Sequence, residues 1–255
     1  AQVLSAGGLT LPPLSSIPMT SKLPGPHTLK EIITPPNVDD LYEWYCARNL
    51  FDEDPSWAVV WPTAVSLSTY LIEFPDLVRG KRVVELGCGL GVAGMTAACL
   101  GSQSVILTDR DGLALHCAMS TVACNQLNEG EQRIKAAIVD WTDEESLLRC
   151  GDADVVLASD VLYDEETIIA FGRACRTILS KGGRVLVTDP LVERKAGCRE
   201  LLRQELDKEN AEIKVVDLGS PGGDLPSSSP DGKDHDRRMK ESILLIQYKL
   251  SVSKD

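Results

Sequence analysis

The stretch VELGCGLGVAG, residues 84–94, determines how this 255-residue chain can fold. It joins a short apolar run that predicts a strand, residues 82–86, to a pattern that predicts a helix, residues 95–100. Glycines at such a turn permit positive φ and let a ligand lie against bare main chain, and the following helix has free N–H groups at its start. A turn of this kind is a typical cofactor site of α/β proteins. The alternative interpretation is a glycine-rich turn that binds no ligand.

Similar apolar runs alternate with helical patterns along the rest of the chain. Strands are predicted at residues 82–86, 104–108, 134–139, 153–158, 184–188, 213–218 and 242–250. Strands that alternate with helices indicate a parallel sheet covered on both faces. The last two strands are joined without a helix, so the final strand is expected to be antiparallel. The prediction is an α/β, Rossmann-like sheet of seven strands with helices on both faces.

Three regions are predicted along the chain. Residues 1–38 form a proline-rich segment, residues 39–80 a helical extension that packs on the domain, and residues 81–255 the domain itself. The extension is expected to contain helices at residues 39–54 and 57–74, and residues 219–240 are expected to form a mobile loop. Residues 1–30 contain no Asp or Glu, so the start is either a trimmed targeting tail or an arbitrary chain boundary.

Composition narrows the class of protein. The 26 basic and 38 acidic residues give a formal net charge of −12. This charge repels a phosphate backbone, so nucleic acid is not expected to be the main ligand. No apolar run approaches the ~18 residues of a membrane span. The eight cysteines form no C-x-x-C pair and the three histidines lie far apart, so no metal site is expected. We expect a reducing compartment, the cytoplasm first and a mitochondrion or plastid as alternatives.

Two cofactors are compatible with the glycine turn alone. Residues 89–94 match G-x-G-x-x-G and Asp109 follows Gly89 by 20 residues, as in dinucleotide-binding proteins. However, Glu85 lies two residues before Gly87, where a carboxylate would repel a pyrophosphate and attract a cationic ligand. The methionine part of S-adenosylmethionine is such a ligand, and Asp109 could bind the ribose of either cofactor.

The ends of the third and fourth strands favour S-adenosylmethionine. Asp140 and Trp141 could bind the amino group and cover the face of an adenine, although Trp141 could also be a core aromatic residue. Ser159, Asp160 and Tyr163 form a polar, acidic and aromatic exit beside the same crevice. The alternative for Asp160 is the N-cap of the following helix.

Together these motifs resemble the seven-strand class I S-adenosylmethionine-dependent methyltransferases, and more narrowly methyltransferase family 16, the protein-lysine methyltransferases with D-x-x-Y after the fourth strand. The resemblance covers residues 34–218. Within the family, residues 54–62, 75–81, 160–165 and 189–190 are most similar to the electron transfer flavoprotein β-subunit lysine methyltransferases. The proline-rich start and residues 219–240 depart from the family pattern.

The resemblance implies S-adenosyl-L-methionine as the cofactor and a role for each matching residue. The implied cofactor-binding residues are Trp61, Glu85, Gly87, Gly89, Asp109, Asp140, Trp141 and Ser159, and the implied catalytic residues are Asp160 and Tyr163. Nearby polar residues, namely Arg110, Asp111, Glu165 and Arg194, are expected to be solvated.

The implied function is methylation of a lysine of a protein substrate by a monomer that binds neither nucleic acid nor membrane. The alternatives are an arginine or small-molecule methyltransferase, a nicotinamide-dependent oxidoreductase and a non-catalytic binding module.

Overall fold

The computed structural model describes residues 14–18, 29–51, 53–128, 133–207, 212–219 and 243–249. The strands within these residues are β1 Ser15–Pro18, β2 Glu31–Thr34, β3 Arg82–Leu86, β4 Ser104–Asp109, β5 Ile134–Ile138, β6 Ala153–Ser159, β7 Leu179–Pro190, β8 Glu212–Asp217 and β9 Ile243–Lys249. The α-helices are α1 Val38–Cys46, α2 Pro62–Glu73, α3 Val92–Cys99, α4 Gly112–Cys124, α5 Glu144–Leu147, α6 Glu165–Ile178 and α7 Cys198–Asp207. None of the described helices has the length and apolar character needed to cross a membrane.

Seven of the described strands form one mixed sheet in the order β5-β4-β3-β6-β7-β9-β8. The β3, β4, β5, β6 and β7 pairings are parallel, whereas β9 pairs antiparallel with both β7 and β8. The predicted α/β sheet with a reversed last strand is therefore confirmed. Residues 220–240 of the predicted mobile loop lie outside the described residues, as do the two end residues predicted for the last strand.

Each face of the sheet carries its own hydrophobic cluster. Val83 and Val105 pack with helices α3 and α4 on one face, and Val84 and Val156 pack with α6 and α7 on the other. Successive side chains of a strand point to opposite faces, so a strand such as β3, which is buried on both faces, needs a helix layer on both sides. The polar ends of the strands are left at the carboxyl edge.

The helices before the sheet are shorter than the sequence patterns predict. Helix α1 ends at Cys46 rather than residue 54, and Asn49 in the following turn has a positive φ that helices do not adopt. The predicted helix at residues 57–74 is also wrong at its start, because α2 begins at Pro62. Proline disfavours a helical conformation in the preceding residue, and Trp61 is extended with φ −73° and ψ 142°. A short 3₁₀ turn, Pro55–Ala58, precedes it.

A two-stranded ladder in the first 38 residues was not predicted. Strands β1 and β2 pair antiparallel. Strand β2 is also fixed to helix α4, since the Ile33 N–H donates to Thr121 Oγ1 at 2.8 Å. Just before the strand, the Lys30 N–H donates at 2.7 Å to Oδ1 of Asn125, the C-cap of α4. The partners are about 90 residues away in the chain, so local patterns could not reveal them. The division of the chain into three regions stays a prediction.

Candidate active site

A cleft of about 740 Å³ lies at the carboxyl ends of β3, β4, β5 and β6. The structure brings all ten predicted site residues to its lining: Trp61, Glu85, Gly87, Gly89, Asp109, Asp140, Trp141, Ser159, Asp160 and Tyr163. This is the edge where open α/β sheets bind ligands, because the strand order reverses direction beside β3. The roles assigned to the ten residues stay predictions.

The glycine turn forms the floor of the cleft. Gly87 and Gly89 have φ values of +62° and +51°, a region that side chains disfavour. A Cβ on Gly87 would lie 3.0 Å from the Trp141 ring, and one on Gly89 would lie 3.2 Å from the carbonyl oxygen of Trp57. Both positions therefore require glycine for backbone conformation and for the close approach of neighbours.

Glu85 lies beneath the turn. Its side chain is almost fully buried, and its Oε2 accepts a hydrogen bond from the Gly94 N–H in α3 at 2.7 Å. Burial raises the pKa of Glu85 to about 8, so the protonated form is favoured at neutral pH. The carboxyl group of Glu85 thus ties β3 to α3. The sequence predicted a cation-binding role for Glu85 but not this contact.

Asp109 closes the end of β4 against the same turn. Its Oδ2 accepts from the Gly89 N–H at 2.9 Å and its Oδ1 from the Asp111 N–H at 3.0 Å. Burial raises the pKa of Asp109 to about 6. Each carboxylate oxygen carries two lone pairs, so both oxygens can accept a further hydrogen bond from a ligand in the cleft.

The next wall of the cleft consists of Asp140 and Trp141. Asp140 is exposed, and its Oδ1 accepts hydrogen bonds from the Thr142 N–H at 2.8 Å and the Thr142 hydroxyl at 2.6 Å, which lower its pKa. Trp141 is half-buried and packs edge-on against Phe171, with ring centroids 5.3 Å apart. The indole is held in place by the core while part of it remains exposed to the cleft.

Asp160 directly follows β6 and has a strained backbone with φ +60°. Its N–H donates to the Thr188 carbonyl at 2.9 Å. Its side chain is only 4% exposed, and the carboxylate accepts a hydrogen bond from Arg194 Nε at 3.0 Å and a second one from Arg194 Nη2. The N-cap of α6 is Asp164, whose Oδ1 accepts from the Thr167 N–H at 2.8 Å. The helix-cap alternative for Asp160 is therefore wrong.

Two aromatic residues border Asp160. Tyr163 is 47% exposed at the mouth of the cleft. Burial of the rest of its side chain raises the Tyr163 pKa. The Trp61 indole N–H donates to the Ser56 carbonyl at 3.0 Å, and the Arg194 guanidinium lies 5.6 Å from the Trp61 ring centroid. The cleft mouth is thus formed by aromatic faces around a buried carboxylate.

Three nearby polar residues that were expected to be solvated, Arg110, Asp111 and Arg194, also line the cleft. The fourth, Glu165, pairs with Lys195 at 2.9 Å. The proximity of Arg194 to Asp160 has no local signal, because 34 residues separate them.

A buried network also links helix α1 to the cleft. The Trp57 indole N–H donates to Tyr45 Oη at 2.9 Å, and the Tyr45 hydroxyl donates to Asp111 Oδ2. Asp111 caps α4 through its other oxygen, which accepts from the Leu113 N–H at 2.7 Å. The N-terminal extension is therefore anchored beside Asp109, and only tertiary packing reveals this contact.

The chain is similar in sequence to protein-lysine methyltransferases. The chain is 31% identical over 149 residues to the electron transfer flavoprotein beta subunit lysine methyltransferase of Rattus norvegicus, covering 58% of this chain and 55% of that protein. It is 36% identical over 113 residues to the protein N-lysine methyltransferase METTL21A of Danio rerio, covering 44% of this chain and 51% of that protein. The chain therefore spans about half the length of the curated relatives it matches.

A solved structure agrees on the fold. The magnesium protoporphyrin IX methyltransferase of Synechocystis PCC 6803, solved with bound S-adenosylmethionine, gives a TM-score of 0.52 at 17% identity, over 74% of this chain and 78% of that one. The family model described as lysine methyltransferase matches residues 52–190. Because this match includes more than half of the 255 residues, the chain belongs to the lysine methyltransferase family.

Proposed function

We propose that this protein uses S-adenosyl-L-methionine to methylate a lysine side chain of a protein substrate. The observation that carries the proposal is the placement of Asp160 and Tyr163 at the mouth of the same cleft whose floor is the glycine turn and Asp109. A cofactor site and an acidic, aromatic acceptor site thus share one cavity. Membership of the lysine methyltransferase family and the names of the relatives support the same reaction.

The residues of the cleft fit this cofactor. Asp109 has free lone pairs for two ribose hydroxyls, and Trp141 offers an aromatic surface for an adenine. Glu85 and Asp109 are buried acids, and each becomes more easily ionised when a cation is nearby. The cleft therefore suits a ligand that is positively charged at one end and carries a nucleoside at the other.

When bound, S-adenosylmethionine supplies a methyl group on a positively charged sulfur. The transfer is an in-line displacement, so the protein mainly has to hold the acceptor nitrogen in line and within ~3–3.5 Å, and to exclude water. Asp160 would attract and orient the acceptor amine, while the rings of Tyr163 and Trp61 would shape the slot that holds it. No covalent intermediate with the protein is needed.

The acceptor must also lose a proton. A free lysine has a pKa near ~10.4 and is protonated at neutral pH. The Asp160 carboxylate stabilises the ammonium form and so works against deprotonation. We therefore assign Asp160 the orientation of the amine, and infer that the proton leaves through water at the exposed mouth, where Tyr163 lies.

Arginine is the second candidate acceptor because Asp160 binds a guanidinium group in this structure, that of Arg194. A bidentate contact of this kind matches the planar fork of arginine better than it matches an ammonium. Mapping of the methylated residue separates the two candidates.

The first experiment is calorimetric titration with S-adenosylmethionine, S-adenosylhomocysteine and NAD. We expect binding of the first two and none of NAD, and the reverse result would refute the cofactor assignment. The second is transfer of radiolabelled methyl groups to a cell lysate and to purified electron transfer flavoprotein, followed by residue mapping. Label on lysine supports the proposal, and label on arginine or small molecules alone refutes it.

The proposal also includes a monomeric enzyme in the cytoplasm, with a mitochondrion or plastid as the alternatives. Sedimentation of the purified chain and fractionation of cells test these two points.

A further inference from the structure

Arg194 binds the Asp160 carboxylate, which the proposed reaction needs to orient the acceptor amine. Its guanidinium binds Asp160 through two nitrogens, and the carboxylate is only 4% exposed while the Arg194 side chain is 29% exposed. Charge-assisted bidentate contacts of this kind are among the stronger side-chain hydrogen bonds. Both oxygens of Asp160 are therefore engaged by a cation that belongs to the protein itself.

The loop that carries Arg194, residues 191–197, is held at its base. Glu193 accepts hydrogen bonds from the Gly197 N–H at 3.0 Å and the Arg199 N–H at 2.9 Å, which ties the loop to the start of α7. The Arg199 guanidinium in turn binds the buried Asp189 at 2.7 Å, just before the loop. Arg194 is thus presented towards Asp160 by a fixed loop base, with its guanidinium near the Trp61 ring.

We propose that Arg194 is a specificity-determining residue that competes with the substrate amine for Asp160. This inference rests on the proposed function, because it assumes that a lysine ammonium reaches Asp160. Because the Asp160 side chain is only 4% exposed and Arg194 binds both of its oxygens, an ammonium can reach this carboxylate only after Arg194 is displaced.

Displacement disfavours small amines in particular. A free amine gains only the contact with Asp160, whereas a protein substrate also gains contacts with the surface around the cleft. Exposed apolar side chains suitable for such contacts are Tyr163, which lines the cleft, and Leu191 and Val192, which lie in the loop that carries Arg194. Binding energy from remote contacts can offset the loss of the Arg194 ion pair. Arg194 therefore restricts the reaction to lysines presented by a protein.

The test uses n-butylammonium as a probe of the lysine side chain, with the full chain saturated with S-adenosylhomocysteine. Binding is followed by NMR through the Nε–H signals of ¹⁵N-labelled arginine and the backbone amides. We expect Arg194→Ala to bind the probe about tenfold more tightly than the parent, since one charge-assisted contact no longer competes. Arg194→Lys should lie between them because it keeps the charge and loses the bidentate geometry.

Two further variants serve as controls. Lys195→Ala alters the neighbouring surface ion pair with Glu165 and should leave probe binding unchanged. Asp160→Asn should abolish the gain from Arg194→Ala when the two changes are combined. Thermal melting and S-adenosylhomocysteine binding of each variant establish that it is folded.

Probe binding to Arg194→Ala that equals or falls below that of the parent would overturn the proposal and make the ion pair purely structural. A gain that persists with Asp160→Asn would also overturn it, since the probe would then bind elsewhere. These measurements need no methyl transfer and can be repeated without the cofactor product. Failure of the proposed methylation would therefore be seen separately from failure of the competition.

Discussion

The buried carboxyl group of Glu85 should make folding depend on pH in a way that one substitution removes. Glu85→Gln keeps an oxygen to accept the Gly94 N–H and keeps the side-chain volume, but it removes the charge. In the folded protein burial raises the Glu85 pKa from its ordinary 4.5 to about 8. The protonated form is therefore the one that the fold favours.

The sign and size follow from this difference. A group whose pKa is raised by folding stabilises the native state most at low pH, and this stabilisation is lost as the pH rises from about 4.5 to about 8. Each pKa unit corresponds to about 1.36 kcal/mol, so the parent should lose roughly 4–5 kcal/mol relative to Glu85→Gln across the window. Acids that do not interact with Glu85 titrate alike in both proteins and cancel in the difference, whereas the nearby Asp109 helps to raise the Glu85 pKa and is part of the effect.

The assay is urea denaturation of both proteins at intervals between pH 4.5 and 8.5. The difference in the free energy of unfolding should move steadily in favour of the variant as the pH rises. The exposed Glu145 offers a matched control, because Glu145→Gln removes a charge that is already in water. Parallel pH profiles for the parent and Glu85→Gln would contradict the argument, since the buried carboxyl would then carry no cost of ionisation.

Three further substitutions test the site and its support. Asp109→Ala should lower cofactor affinity by roughly ten- to a hundredfold, because hydrogen bonds to a charged acceptor contribute ~1.5–3 kcal/mol each. Calorimetry that gives the affinity of the parent would show that the ribose does not bind Asp109. Asp160→Ala should leave cofactor affinity within a few-fold of the parent and lower methylation by orders of magnitude. Binding and turnover are measured on the same preparation, and unchanged turnover would show that Asp160 takes no part in the reaction. Tyr45→Phe should destabilise the fold by roughly 1–3 kcal/mol in urea, since it removes the hydroxyl of a buried side chain together with its two hydrogen bonds. Tyr42→Phe on the 52% exposed side chain should change little, and equal effects would contradict the reasoning.

Much of the fold could be predicted because its signals are local. The runs that become β3 and β6 are short, β-branched and bounded by turn residues, and each pattern lies within ten residues of sequence. The helix boundaries before the sheet were less predictable. The pattern at residues 57–74 is apolar on both sides of Pro62, so the effect of Pro62 on Trp61 divides it where hydrophobicity does not change.

The sequence by itself determined the seven-stranded α/β sheet and ten of the residues that line the cleft, because strand periodicity, glycine turns and the residues at strand ends are written in consecutive positions. Only the tertiary structure decided what these residues contact. The ion pair of Arg194 with Asp160, the raised pKa of Glu85 and the anchoring of Tyr45 on Asp111 depend on burial and on partners far away in the chain. These hydrogen bonds and this desolvation cost arise only when separate segments pack together, so they have no signature in any single stretch of sequence.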